Sequence, residues 1–100
     1  MAKGILVVES RPESPDTRDD YHRWYEETHL PEMLAVEGFV SVRRLESPDG
    51  EGFAYIYEVD DLDAARAAFG ATLKAGSLSG PVGVLLDPPP TMRWFRDRTS

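Results

Sequence analysis

The segment Gly4-Ile-Leu-Val-Val8 is an apolar run with no polar residue at alternate positions. A strand of that kind is covered on both faces. A chain of 100 residues forms one domain with a single modest core. Its own helices can cover one side of a sheet, and the other side then calls for a second molecule.

The rest of the chain supplies the partners of that strand. Phe53 to Val59 alternates, with Phe53, Tyr55, Tyr57 and Val59 on one face and Ala54, Ile56 and Glu58 on the other. Phe39 to Glu46 reads as a strand joined to it by a hairpin, in which Asp49-Gly50 supplies the turn. Thr91 to Arg96 is the last strand expected. The first helix is expected from Thr17 to about His29, with Asp16 as its N-cap. Pro31 disfavours helix at Leu30, so Pro31 to Val36 reads as a second, displaced piece ended by Gly38. Asp61 can cap another helix from Leu62 to about Lys74, with Leu62, Ala65, Ala68 or Phe69, and Leu73 on its buried stripe. Val82 to Leu86 reads as either a short strand or a packed loop.

This order is strand, helix, strand, strand, helix, strand. It specifies an α+β, ferredoxin-like βαββαβ protomer, a four-stranded antiparallel sheet with both helices on one face. The other face stays open and apolar, and a two-fold pairing of two such sheets covers it. The expected arrangement is one domain over residues 1–100, acting as a homodimer through the open sheet face.

Charge and composition remove several functions. Eleven Lys and Arg against 18 Asp and Glu leave a formal charge of −7. Such a balance argues against nucleic acid and against an anionic membrane surface. The chain has no cysteine, which excludes disulfides, thiolate metal sites and a cysteine nucleophile, and fits a cytoplasmic protein. No phosphate-binding glycine loop or nucleophile elbow is present. His22 and His29 lie seven residues apart, about 10 Å along a helix, too far to share an ion, so no metal is expected.

The stretch most able to carry chemistry is Tyr21-His-Arg-Trp-Tyr-Glu-Glu-Thr-His-Leu-Pro31. It sets an imidazole, two phenols and an indole on or near one side of a helix. His29 can act as a general acid or base near neutral pH. Placed at a helix C-terminus, it would be favoured in its protonated form. Tyr25 and Tyr21 lie one and two turns earlier, where their hydroxyls can donate to a ligand oxygen. An aromatic stripe at helical spacing is also what an ordinary core requires, and His22 reads as a solvated residue. Arg43 and Arg44 point in opposite directions, so one of them faces the covered side.

The string Tyr21-x-x-Trp24-Tyr25-x-x-x-His29-Leu30-Pro31, followed by Glu37-Gly38-Phe39 and an arginine-bearing strand, resembles the EthD-like families of the dimeric α+β barrel superfamily. The closing Asp-Pro-Pro-Pro-Thr-Met-Arg-Trp-Phe-Arg segment is similar to the last strand of such proteins. The resemblance covers roughly residues 3–96 and is least marked over 73–86. It implies a pocket between helices and sheet in each protomer. The relatives it implies include polyketide cyclases, muconolactone isomerase-like enzymes, cofactor-independent quinone-forming monooxygenases and haem-degrading enzymes. On this basis His29 is the expected proton-transfer residue, and Tyr25, with Tyr57, the expected holder of a developing enolate oxygen. Tyr21, Trp24, Met33 and Phe39 are the expected substrate-binding walls. The leading expectation is a lyase or isomerase without a cofactor, acting on a polyketide-like, aromatic or cyclic compound. The alternatives are a cofactor-independent monooxygenase and a non-catalytic dimer that binds a small apolar ligand.

Overall fold

The computed structural model describes residues 2–99. Strands β1 (Gly4–Ser10), β2 (Phe39–Glu46), β3 (Phe53–Val59) and β4 (Thr91–Arg96) form one sheet in the order β2-β3-β1-β4. Every neighbouring pair is antiparallel. β1 and β3 are central, and Leu6 and Val8 of β1 are buried while Ile5 and Val7 on its other face are half-buried. The register pairs Leu6 with Tyr57 and with Trp94, and Val8 with Tyr55. These side chains therefore share the face that the helices cover.

The same register answers which arginine faces inward. Arg44 pairs with Tyr55 and lies on the helix side, whereas Arg43 pairs with Ile56 on the open side. The open face also carries Ile5, Val7, Ala54, Leu45 and Phe95. Phe95 and Leu45 are about two fifths exposed, and Val40 at the same face is 59% exposed.

Helix formation departs from expectation at both ends of the aromatic stretch. The chain enters through a short 3-10 turn, Pro15–Thr17, capped by Ser14 rather than Asp16. The Ser14 N–H donates to Thr17 Oγ1 at 3.0 Å, and Thr17 Oγ1 donates back to the Ser14 carbonyl. Pro15, with its fixed φ, occupies the first position after the cap. Helix α1 (Arg18–Trp24) then runs without a break through a π-helical turn, Tyr25–His29, into α2 (Leu30–Leu34). No displaced second piece forms. Pro31 lacks the N–H that a regular ladder requires, and its ring crowds the preceding turn. The Leu30 N–H instead donates to the Tyr25 carbonyl, five residues back, which widens the turn just ahead of the proline. The extra residue rephases the buried stripe. Before it the buried residues are Tyr21, Trp24 and Tyr25, and after it Leu30, Met33 and Val36.

Helix α3 (Leu62–Lys74) starts where Asp61 accepts a hydrogen bond from the Ala64 N–H. Its buried residues are Leu62, Ala65 and Phe69. Leu73 is 52% exposed, not buried as its apolar character suggests. Leu73 shares the helix face of Leu62, Ala65 and Phe69 but lies in the last turn, which stays exposed, while Thr72 donates its hydroxyl to the Ala68 carbonyl.

The segment between α3 and β4 is a packed loop with a single bridge, Pro12 to Val84. It runs back along the first helix. Ser79 donates its N–H and its hydroxyl to the Glu32 carboxylate, at 2.9 and 2.7 Å. Gly83 then lies against the backbone at Thr17 and Tyr21, with φ +72, in a space that a β-carbon would crowd. Among the described residues no helix is long and apolar enough to cross a membrane.

Candidate functional site

The covered face of the sheet meets the aromatic side of α1 and the π turn. Tyr55 stacks on Tyr25 with ring centres 4.1 Å apart and planes 4° apart. Trp24 stacks on His29 at 4.5 Å, and Tyr25 presents its ring edge-on to the same imidazole at 5.3 Å. Trp24 and Tyr25 also touch, their ring centres 4.9 Å apart, so the three rings form a triangle in which the imidazole stacks on the indole and stands perpendicular to the phenol. Tyr57 stands beside Phe39, which also touches Phe69 and Trp94. Met33 is fully enclosed. Trp24, Tyr25 and His29 are in mutual contact and Tyr55 joins them through Tyr25, while Phe39, Tyr57, Phe69 and Trp94 make a second aromatic cluster.

The hydroxyl groups sort the tyrosines. Ser10 Oγ shares hydrogen bonds of 2.7 Å with both the Tyr21 and the Tyr25 hydroxyl. Tyr55 donates to Tyr21 at 2.9 Å. The Tyr21 hydroxyl is therefore engaged within the protein, by Ser10 and Tyr55. Ser10 and Tyr55 are participants that sequence reasoning did not single out. The available signal was the even register of β1, which brings Leu6, Val8 and Ser10 to one face and so sets a hydroxyl opposite the phenols.

Three buried polar atoms have no hydrogen-bond partner among the described residues: Trp24 Nε1, His29 Nδ1 and the Tyr57 hydroxyl. Groups of this kind normally find a partner, and leaving one without costs about 1–3 kcal/mol. Burial also sets the protonation of the imidazole. The helix continues past His29, so no C-terminal dipole favours the cation, and burial holds its pKa below the ordinary 6.5 despite the opposing charge of Glu32. His29 is neutral at pH 7 and able to accept a proton. The same desolvation raises the pKa of Tyr25, Tyr55 and Tyr57, so the phenols stay protonated donors.

Arg44 closes the outer side. Its guanidinium donates to Glu26 at 2.9 Å and to His22 Nδ1 at 3.3 Å, and lies over the Tyr55 ring. Burial and then Arg44 hold His22 below the ordinary imidazole value. Both histidines therefore favour folding in their neutral form. An unfolded chain binds protons at about 6.5, so stability is present above that pH and is lost as pH falls through the lower folded values. Urea midpoints are expected to drop between pH 7.5 and 5.5, and His29→Gln to remove part of that slope. A flat profile over this window would show that neither ring is held neutral by the fold.

Two open grooves lie elsewhere. One, of about 530 Å³, runs along the end of the sheet between Ser10, Phe53, Leu85 and Pro88–Pro90. The other, of about 620 Å³, lies at the far end by Ile5, Val40 and Phe95. Neither is lined by His29, Trp24 or Tyr57.

No family model and no curated protein sequence matches the chain. Solved structures do. A monooxygenase from the ActVA-Orf6 gene of Streptomyces coelicolor, solved with nanaomycin D, is similar at 23% identity and TM-score 0.62, over 97% of this chain and 89% of that one. SnoaB, a cofactor-independent oxygenase from Streptomyces nogalater, is similar at 18% identity and TM-score 0.65, over 98% and 95%. An ethyl tert-butyl ether D (EthD) family protein from Bacillus halodurans is similar at 15% identity and TM-score 0.54, over 94% and 98%. The chain has the ferredoxin-like protomer fold of the dimeric α+β barrel proteins, the architecture that the Trp24-Tyr25…His29-Leu30-Pro31 string resembles.

Proposed function

We propose that the chain is a small enzyme that oxidises a polycyclic phenol or hydroquinone with molecular oxygen, needing no resident metal or redox cofactor. The observation that carries this reading is the set of three partnerless buried atoms, Trp24 Nε1, His29 Nδ1 and Tyr57 OH, within an aromatic interior. An aromatic ligand with oxygen substituents would satisfy such groups, and stacking on Trp24 or Tyr25 would hold its ring. Neutral His29 accepts the phenolic proton. The resulting anion is electron-rich enough to reduce oxygen itself, and the phenol hydroxyls of Tyr25 and Tyr57 stabilise its negative oxygen. The similarity to the ActVA-Orf6 monooxygenase and to SnoaB favours this reading, an alternative at the level of sequence, over the lyase or isomerase that led there.

The test is oxygen uptake. With chelator-treated protein and a dihydroxynaphthalene, the expected product has gained one oxygen and lost two hydrogens, the second oxygen atom leaving as water. Turnover that continues under argon would instead favour proton-transfer chemistry of the lyase or isomerase type, for which the same imidazole serves. Binding without any product would favour a carrier.

The active unit in this reading is a homodimer. The open sheet face presents Ile5, Val7, Ile56 and Phe95 in one apolar surface, and a second copy covers it. Ile56→Asp is expected to shift the protein from dimer to monomer in light scattering. A monomeric native protein at micromolar concentration would overturn the pairing.

A further inference from the structure

We propose that Ser10 is a positioning residue that passes protons between solvent and the Tyr25 phenol by rotating its hydroxyl. The proposal deepens the reading above, since it takes Tyr25 as part of the site.

The argument is a count of protons. Four hydroxyls, those of Ser10, Tyr21, Tyr25 and Tyr55, share three hydrogen bonds. One proton is therefore left over. Tyr55 donates to Tyr21, and Tyr21 is fully buried, so a free Tyr21 proton would find no acceptor and the proton goes to Ser10. Two arrangements of the remainder are open. Ser10 can donate to Tyr25, leaving the Tyr25 proton free. Alternatively Tyr25 donates to Ser10, and the Ser10 proton turns outward.

Burial decides between them. Tyr25 is 2% exposed. Ser10 is half-buried and lines the groove of about 530 Å³ at the end of the sheet. A free proton on a buried phenol goes without an acceptor, whereas one on Ser10 can be solvated from the groove. Without a ligand the chain runs from Tyr25 to Ser10 to the groove. A ligand oxygen beside Tyr25 reverses it: Tyr25 donates to the ligand and Ser10 donates to Tyr25. The reversal needs rotation about one side-chain bond and no backbone movement.

The same path replaces a proton lost from Tyr25. The Ser10 O–H bond breaks as the Tyr25 O–H bond forms. A groove water gives its proton to the Ser10 oxygen, and hydroxide is left in the groove. The reverse sequence takes a proton out.

The exchange of individual phenol protons tests this without a substrate. The chain has four tyrosines, so labelling each ring carbon that bears the hydroxyl with carbon-13 gives four signals. Their splitting in mixed light and heavy water reports exchange at each hydroxyl. In the native protein Tyr25 is expected to exchange faster than Tyr55, which reaches Ser10 only through Tyr21. Ser10→Ala is expected to slow Tyr25 exchange on the order of tenfold, the loss of one hydrogen-bonded step. Ser10→Thr, which keeps the hydroxyl, is expected to restore it. Tyr25 exchange no faster than that of Tyr55, or unaltered or raised by Ser10→Ala, would overturn the relay, as would failure of Ser10→Thr to restore the rate. If Ser10→Ala does not fold, the native order and Ser10→Thr decide. None of these rates depends on turnover, so the relay and the catalytic assignment of His29 can fail separately.

Discussion

Replacing His29 with glutamine is expected to lower turnover of an aromatic phenol by about 10²–10⁴-fold, the usual contribution of a positioned general base. Glutamine keeps the volume beside Trp24 and retains polar atoms, so helical content and oligomeric state should stay as in the native protein. The imidazole has the features the role requires. Burial favours its neutral form, it packs against both Trp24 and Tyr25, and its Nδ1 has no partner among the described residues. The loss should fall on kcat, since the ring faces that would bind an aromatic ligand are untouched. Native turnover in His29→Gln would remove the histidine from the mechanism. Tyr57→Phe separates the two roles. It keeps the base and deletes one donor to the developing anion, so a smaller loss is expected there.

Tyr55→Ala is expected to destabilise the fold by about 3–5 kcal/mol, the range for removing a buried aromatic ring. Typical domains have only about 5–15 kcal/mol in total, so this variant should sit close to its unfolding midpoint in dilute urea. Tyr55 is fully buried at the middle of the sheet. It stacks on Tyr25, donates to Tyr21 and carries Arg44 over its ring. Tyr55→Phe keeps the stacking and loses one hydrogen bond, so about 1 kcal/mol is expected. The difference between the two variants isolates packing from hydrogen bonding. If Tyr55→Ala unfolds at the same urea concentration as Tyr55→Phe, the ring does not hold helix to sheet.

Some of this architecture is local and some is not. The alternation of Phe53, Tyr55, Tyr57 and Val59 specifies a strand with one buried face whatever surrounds it, because side chains in an extended backbone alternate. Asp49-Gly50 specifies the hairpin, because Gly50 takes φ +74 there. The π turn was not legible. Pro31 announces only that a regular helix cannot pass unchanged. Whether the chain breaks or widens depends on what the next residues can bury, and here Leu30 and Met33 find the core. Leu73 failed for a related reason. It lies on the face of Leu62, Ala65 and Phe69, but in the last turn of the helix, which is exposed, and whether a turn is covered is not a property of its own residues.

Within the candidate site, the placing of His29 near Trp24 and Tyr25 was readable, and its charge was not. The expected helix end would favour the cation, whereas the continuous helix and the burial favour the neutral ring. Of the hydroxyl chain, only the face of Ser10 was within reach, through the alternation of β1. Ser10 and Tyr55 lie 45 residues apart in the chain, and only strand register and helix docking bring them to one place.

The amino-acid pattern alone determined the order of strands and helices, which faces are apolar, and that one histidine lies within an aromatic stretch ended by a proline. These follow from rules that act over a few residues. The tertiary structure decided the protonation of His29, the inward direction of Arg44, the partners of each phenol and the three polar atoms without one. Those properties depend on distance and burial between segments far apart in the chain, which no local rule specifies.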